Sequence, residues 1–326
     1  MTQRTVFITG AGGAAVPGLI KLLKQKGIRV IAGDMVRHAV GLYIADKGFI
    51  LPAGTSSHFF PTLKKICREE KVDAVIPLVD EELLSAIKLE EEGHLPVLLP
   101  QRNFTALCLD KYQLMNQLAR HQIPVPKTKL ASEGCEGLLF PIIAKPRVGR
   151  GSRGVKVLKT KEDFQAYCNG LDQLSSILVQ EYIPGKEFTV SVVVWRDGEV
   201  QSVIPKEIVH KQNITKMAVT RRNEKVIRIC SKVQKEMKAN GPFNVQLKLD
   251  PHGEPYIFEI NPRFSTSVSL TIASGIDELN VLLDQALTGR KASAPLVWKE
   301  GIVLLRQSLD ECISEEDFLN RQTNIE

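Results

Sequence analysis

The chain has 326 residues, 43% of them hydrophobic and 25% charged; at about 150 residues per domain this suits two domains and excludes a disordered or collagen-like polymer. Lys and Arg number 43 against 37 Asp and Glu, a net charge of +6, and no basic block is interleaved with aromatics, so anionic small molecules are the expected partners and nucleic acid is not. The six cysteines are scattered without C-x-x-C spacing, no apolar run approaches the roughly 18 residues of a membrane span, and Met-Thr-Gln-Arg leads straight into Val6-Phe7-Ile8, so a reduced cytoplasmic protein without membrane insertion is expected.

Thr5–Thr9 reads as a strand, followed by the turn Gly10-Ala11-Gly12-Gly13 and an amphipathic helix on Leu19, Ile20, Leu22 and Leu23 that stops at Gly27. A second strand covers Arg29–Ala32 and ends at Gly33-Asp34. Then come a helix over Leu63–Glu70, a strand over Ala74–Leu78, a helix over Glu81–Glu91 and a short strand over Val97–Leu99 between two prolines. This βαβα alternation predicts a parallel sheet with helices on both faces and a boundary near residue 100. Beyond it the pattern becomes α+β. A helix runs from Asp110-Lys111 to His121, and Pro141–Pro146 leads into the loop Gly149–Gly154. Strands at Val155–Leu158, Ile177–Tyr182 and Phe188–Trp195 surround a helix at Glu162–Asn169. Asp197-Gly198 marks a hairpin turn, Glu224–Asn240 a helix, and Pro251-His252-Gly253 a second hairpin.

The segment Phe243–Arg263 carries the most chemistry. Residues two apart share a face of a strand, which places Val245, Leu247 and Leu249 on one face and Asn244, Gln246 and Lys248 on the other. On the return strand Tyr256, Phe258 and Ile260 oppose Glu259 and Asn261. Pairing Asp250 with Pro255 sets Gln246 opposite Glu259 and Asn244 opposite Asn261. One carboxylate and several amide oxygens then share a face, a hard-oxygen set suited to Mg²⁺, or Mn²⁺ in its place, together with nucleotide phosphates. Arg263 can reach a phosphate oxygen from the same face. The plain alternative is the wet face of an antiparallel sheet.

A cationic loop weighs against that alternative. Lys145 ends a short apolar strand, and Gly149, Gly151, Ser152 and Gly154 follow among Arg147, Arg150 and Arg153. Glycines let a backbone fold over an anion and offer its N–H groups, while lysine neutralises phosphate charge. The spacing is not G-x-x-x-x-G-K-[ST]. Further on, Lys206–Arg222 reads either as a solvated loop or as a substrate loop clamping an acidic acceptor, with Lys206 and Arg222 as its candidate catalytic cations.

From Asp110 to about Gly275 the chain resembles the ATP-grasp enzymes, most closely the synthetase half of the carbamoyl-phosphate synthase large chain. The resemblance rests on Asp110-Lys111, Ala144-Lys145-Pro146, the Gly149–Gly154 loop, Gln180–Glu187, Asn244-Val245-Gln246 and Glu259-Ile260-Asn261-Pro262-Arg263. It implies that Lys111 and Lys145 meet ATP phosphates under the loop, that Glu181, Tyr182 and Ile183 form the adenine hinge, and that Glu187 binds the ribose. It implies further that Gln246, Glu259 and Asn261 hold Mg²⁺, with Arg263 on the transferred phosphoryl group. Many relatives carry a carboxylate where Gln246 stands; the carbamoyl-phosphate group has glutamine.

The implied architecture is a Rossmann-like domain over residues 1–104, an ATP-grasp domain over 105–290 with its lid at about 125–182, and a C-terminal segment, 291–326, packing on the core. The implied activity is ATP-dependent joining of a carboxylate to an amine or related nucleophile through an acyl phosphate, releasing ADP and phosphate. Small-molecule carboxylates and amines are the expected substrates, and a homodimer is compatible with the pattern. Beside it stand a non-catalytic nucleotide-binding protein, which would bind ATP but release no phosphate, and two alternatives that carry chemistry. One is a carbamoyl-phosphate-type kinase of a small carboxylate. The other is an NAD-binding oxidoreductase, because Gly10–Ala15 satisfies G-x-G-x-x-A between a strand and a helix, with Asp34 ending the next strand. Asp80, Glu81 and Glu82 fit the acidic first turn of a helix.

Overall fold

The computed structural model describes residues 3–291, 296–307 and 310–323. Of the expected C-terminal segment, positions 292–295, 308–309 and 324–326 lie outside the described residues, as do the first two positions of the chain.

The N-terminal part begins with β1 (Thr5–Thr9), α1 (Val16–Gln25) and β2 (Arg29–Asp34), followed by α2 (Gly41–Ile44), β3 (Lys47–Ile50), α3 (Phe59–Glu69) and β4 (Ala74–Ile76). The strands form a parallel sheet ordered β3-β2-β1-β4. Val6, Phe7 and Ile8 are sealed from solvent on both faces, as helices on both sides of a sheet require. Sequence reading missed α2 and β3, where Lys47-Gly48-Phe49-Ile50 is too short to show a period. The strand expected at Val97–Leu99 shrinks to a single bridge between Val75 and Val97, because the prolines on either side supply no N–H to a ladder. The helix expected over Glu81–Glu91 is broken into a 3₁₀ turn (Asp80–Glu82), α4 (Leu83–Ala86) and α5 (Lys88–Glu91). The buried Glu82 carboxylate pins that turn, accepting from Val79 N at 3.1 Å, Leu78 N at 3.3 Å and the Thr9 hydroxyl.

Next come α6 (Arg102–Leu109) and α7 (Lys111–Arg120), the latter capped by Asp110. Helix α6 crosses the expected 104/105 boundary, and its Phe104 packs on Phe243 of the second half. A small antiparallel sheet, β5 (Thr128–Leu130), β6 (Ile142–Pro146), β7 (Lys156–Leu158) and β8 (Ile177–Glu181), is ordered β5-β8-β6-β7. It falls inside the expected lid, and with α8 (Lys161–Asn169) it encloses its own core around Ile142, Phe164 and Val179.

The large sheet contains β9 (Lys186–Val194), β10 (Val200–Gln212), β11 (Ile214–Thr220), β12 (Phe243–Leu249) and β13 (Pro255–Asn261), with α9 (Glu224–Met237), α10 (Val268–Ala273) and α11 (Glu278–Thr288). It is antiparallel and ordered β13-β12-β9-β10-β11-β14, where β14 is Val303–Leu305. The loop expected over Lys206–Arg222 is corrected here: β10 and β11 form a hairpin, with Asn213 at φ +59° in its turn. Pro205 and the dense charges hid the strand, although the proline carbonyl still accepts from Arg221 N.

One core cluster joins β1, α1, β10 and α11, with Val6, Leu19, Ile204 and Leu282 among its members. The two domains therefore share apolar interior. The C-terminal α12 (Glu315–Thr323) returns to the N-terminal part, where Phe318 stacks on Tyr43 with centroids 5.1 Å apart. No helix among the described residues is long and apolar enough to cross a membrane.

Burial pushes the Glu82 carboxyl up from an ordinary value of 4.5 to about 7, against the pull of its hydrogen bonds from Thr9, Val79 and Leu78. The folded state thus holds this proton more tightly than the unfolded chain. Its contribution to stability is full below about pH 4.5 and fades as pH rises to about 7. Glu82→Gln, which keeps an acceptor and has no proton to lose, should gain stability relative to wild type across that interval, measured as urea midpoints at a series of pH values.

Candidate active site

The β12–β13 pairing carries a bulge. Near the turn Leu249 faces Pro255 and Leu247 faces Ile257, but from the next pair onward Gln246 faces Glu259 and Asn244 faces Asn261. The expected pairs at the polar end are present, while the turn end is one residue out of the expected register. The inserted residue also corrects the expected faces. Ile257 and Ile260 both enter the core, and Phe258 turns to the cleft instead. Bulges beside sites commonly re-aim side chains in this way.

Across from this face lies a cleft of about 250 Å³ lined by Lys111, Lys145, Gln246 and Glu259, by the Gly149–Arg153 loop and by Glu181–Ile183 and Glu187. Lys145 comes from β6 of the small sheet. Its ammonium donates to Phe258 O at 3.2 Å and lies 5.4 Å from the Phe258 ring centroid. Burial lowers its pKa to about 8, opposed by the Glu259 carboxylate and reinforced by Lys111 and Lys211. Lys111, at the start of α7, donates to Gly149 O. The loop runs through left-handed backbone at Gly151, Ser152 and Gly154, a path open to glycine without strain. Two of its arginines are neutralised: Arg147 grips Asp110 at 2.6 Å and Arg150 meets Glu81 at 2.7 Å. The loop is thus less positive than its composition implies.

At the other end of the cleft, Glu181 N donates to Lys127 O and Tyr182 N to Pro141 O. The Ile183 N–H has no acceptor among the described residues. Glu187 is held by Lys211 at 2.9 Å and Lys248 at 3.4 Å. Both lysines line the cleft. Sequence reading placed Lys211 in a loop and gave Lys248 no role; their position two strands apart on one face was the missing signal.

The Glu259 carboxylate makes no hydrogen bond or ion pair among the described residues, and its charge acts on that of Lys145. With the amide oxygens of Gln246 and Asn261 in adjacent register, this donor set fits a hard divalent cation shared with phosphate oxygens. No group of three or more His, Cys, Asp or Glu that could hold a metal ion gathers among the described residues, so the donor set here is one carboxylate with amide oxygens. Arg263 lies at the foot of β13, its Nη2 donating to Asn261 Oδ1 at 3.4 Å.

Lys206 and Arg222 do not join this cleft. Lys206 shares the sheet row of Gln246 and Thr189 but is completely buried. Its Nζ donates to Ser191 Oγ at 2.8 Å and Thr271 Oγ1 at 3.0 Å, and Ser191 in turn donates to Glu278 at 3.0 Å. Burial draws the Lys206 pKa down while Glu278 opposes the shift. Arg222 stacks on Trp298, 4.9 Å from its centroid, and its backbone N donates to Glu300. In the N-terminal Gly-rich turn, Asp34 accepts from Gly12 N at 2.8 Å and Val36 N at 2.9 Å, so its carboxylate is engaged within the turn itself.

Residues 6–94 match the family described as PylC-like, N-terminal domain, and residues 173–307 match ATP-grasp in the biosynthetic pathway with Ter operon. A carbamoyl-phosphate synthase from Methanobrevibacter smithii is 27% identical over 81% of this chain and 76% of its own length. A formate-dependent phosphoribosylglycinamide formyltransferase from Prochlorococcus marinus is 23% identical over 86% of this chain and 75% of its own. Among solved structures, carboxyaminoimidazole ribonucleotide synthase from Aspergillus clavatus, complexed with ATP, superposes with a TM-score of 0.73 at 18% identity, covering 91% of this chain and 80% of that one.

Two outcomes are expected. Affinity for MgATP should fall above about pH 8 as Lys145 loses its proton, and Lys145→Arg should remove that fall, measured by calorimetric titration. Lys206→Met should lower stability by about 3 kcal/mol by stranding Glu278 while leaving MgATP affinity unchanged, as read from denaturation and the same titration.

Proposed function

We propose that this chain, which matches an ATP-grasp family over residues 173–307 and a PylC-like N-terminal domain over residues 6–94, is a Mg²⁺-dependent, ADP-forming ligase that joins a small carboxylate to an amine or related nucleophile. The observation that carries this reading is the placement of Glu259 and Gln246 opposite Lys145 and Lys111 across one cleft, with Asn261 following two residues after Glu259 on β13. ATP lies with its phosphates between the lysines and the oxygen face, its adenine at Ile183 and its ribose at Glu187. Gln246, Glu259 and Asn261 would hold Mg²⁺, which would supply charge neutralisation of the phosphates when bound.

Phosphoryl transfer asks mainly for positioning and charge neutralisation. A carboxylate oxygen attacks the γ-phosphorus, the bond to the β-phosphate oxygen breaks, and ADP leaves. Lys111, Lys145 and Arg263 spread the charge of the moving group, and the Gly149–Gly154 loop shields it from water. The acyl phosphate then takes a nucleophile at its carbonyl carbon, and phosphate departs. A second reading, phosphorylation of a small carboxylate without ligation, draws on Gln246 and on the carbamoyl-phosphate synthase relative.

An ADP-release screen over pooled carboxylates, with and without amines and with and without Mg²⁺, tests both readings. Ligation is expected to need a carboxylate, Mg²⁺ and the nucleophile for full turnover; full turnover without a nucleophile favours the second reading. Glu259→Ala should lower turnover by about 100-fold with an unchanged unfolding midpoint, and full activity in that variant would count against the site.

A further inference from the structure

One ion pair beside the site joins the two domains, and its carboxylate comes from the N-terminal one. Asp80 stands in the 3₁₀ turn that follows β4, and its Oδ1 accepts from Arg263 Nε at 2.6 Å. Both side chains are about one-tenth exposed, so water screens the pair little. Arg263 Nη1 donates to Phe264 O at 3.2 Å and Nη2 to Asn261 Oδ1 at 3.4 Å. A guanidinium has five N–H bonds. Three are taken by these acceptors, and the remaining two are on the terminal nitrogens, beside Asn261.

The turn that supplies Asp80 is itself fixed. Glu82 pins it to the end of β1 through Thr9 and through the N–H groups of Leu78 and Val79. Gly10, at φ +66°, packs so closely that a Cβ there would come within 2.8 Å of Val79. The neighbouring Glu81 holds Arg150 of the Gly-rich loop at 2.7 Å. One acidic turn thus touches both Arg263 at the end of β13 and Arg150 in the loop that lines the cleft.

We propose that Asp80 is a positioning residue: it locks the Arg263 fork so that the two free N–H bonds meet the phosphoryl group in transfer, which makes the N-terminal domain a wall of the reaction site. This rests on the reading above that Arg263 meets that group. The proposal has a sign that bare electrostatics does not share. Removing a carboxylate near an anion site should tighten anion binding by charge alone; removing a residue that aims the arginine should weaken it.

The test is calorimetric titration of inorganic phosphate into the full-length protein saturated with MgADP. Asp80→Ala is expected to weaken phosphate binding by about tenfold while MgADP affinity stays within about twofold, and Asp80→Glu to restore part of the loss. Asp80→Asn, which keeps the shape and an acceptor, should fall between and serves if the alanine variant does not fold. In an Arg263→Ala background, Asp80→Asn should add nothing. Unchanged or tighter phosphate binding in Asp80→Ala, additive losses in the double variant, or no phosphate binding by the wild-type MgADP complex would each overturn the inference. Failure of the wild type to bind MgADP would overturn the nucleotide reading and this inference with it.

Discussion

A single extra residue in β13 governs the geometry of the cleft. Strand side chains alternate, so a regular ladder would put Ile257 and Ile260 on opposite faces. The bulge lets both pack into the interior while Glu259 and Asn261 stay on the oxygen face opposite Gln246 and Asn244. It also presents the Phe258 carbonyl to Lys145, which belongs to the small sheet. The irregularity that places the oxygen donors is therefore also a point where the two sides of the cleft meet.

The cleft keeps its charges compensated. Lys111 leans on the Gly149 carbonyl, Lys145 on the Phe258 carbonyl, Arg263 on Asp80, and Glu187 on two lysines. Buried cations of this kind need a partner at all times. On the proposed reading, a triphosphate with its metal ions would offer replacement partners for these cations, so that binding would exchange contacts in place of creating bare charge. The Glu259 carboxylate, with no hydrogen-bond partner of its own among the described residues, is the group we propose for the metal.

Much of this was legible in the sequence because strand periodicity is local. The pairs Gln246–Glu259 and Asn244–Asn261 follow from alternation and a short turn, and the lysine before the Gly-rich loop is visible as a run of residue types. The bulge was not legible, since Tyr256, Phe258 and Ile260 form a plausible apolar face on paper and only packing decides that Ile257 belongs inside. Lys206 misled for a related reason. A lysine beside Pro205 and Glu207 reads as exposed, and its burial depends on Ser191, Thr271 and Glu278, which lie 15, 65 and 72 positions away. The partners of Arg150 and Arg263 sit in the other domain, beyond the reach of any spacing rule.

The apolar interior shared by β1, α1, β10 and α11 bears on how the molecule comes apart. With β14 in the large sheet and α12 lying on Tyr43, the end of the chain belongs to both halves. Cooperativity follows the continuity of packed side chains. Melting should therefore engage the parallel sheet and the large antiparallel sheet as one calorimetric unit, whereas the small sheet, with a separate nucleus around Ile142 and Phe164, is free to loosen earlier and by itself.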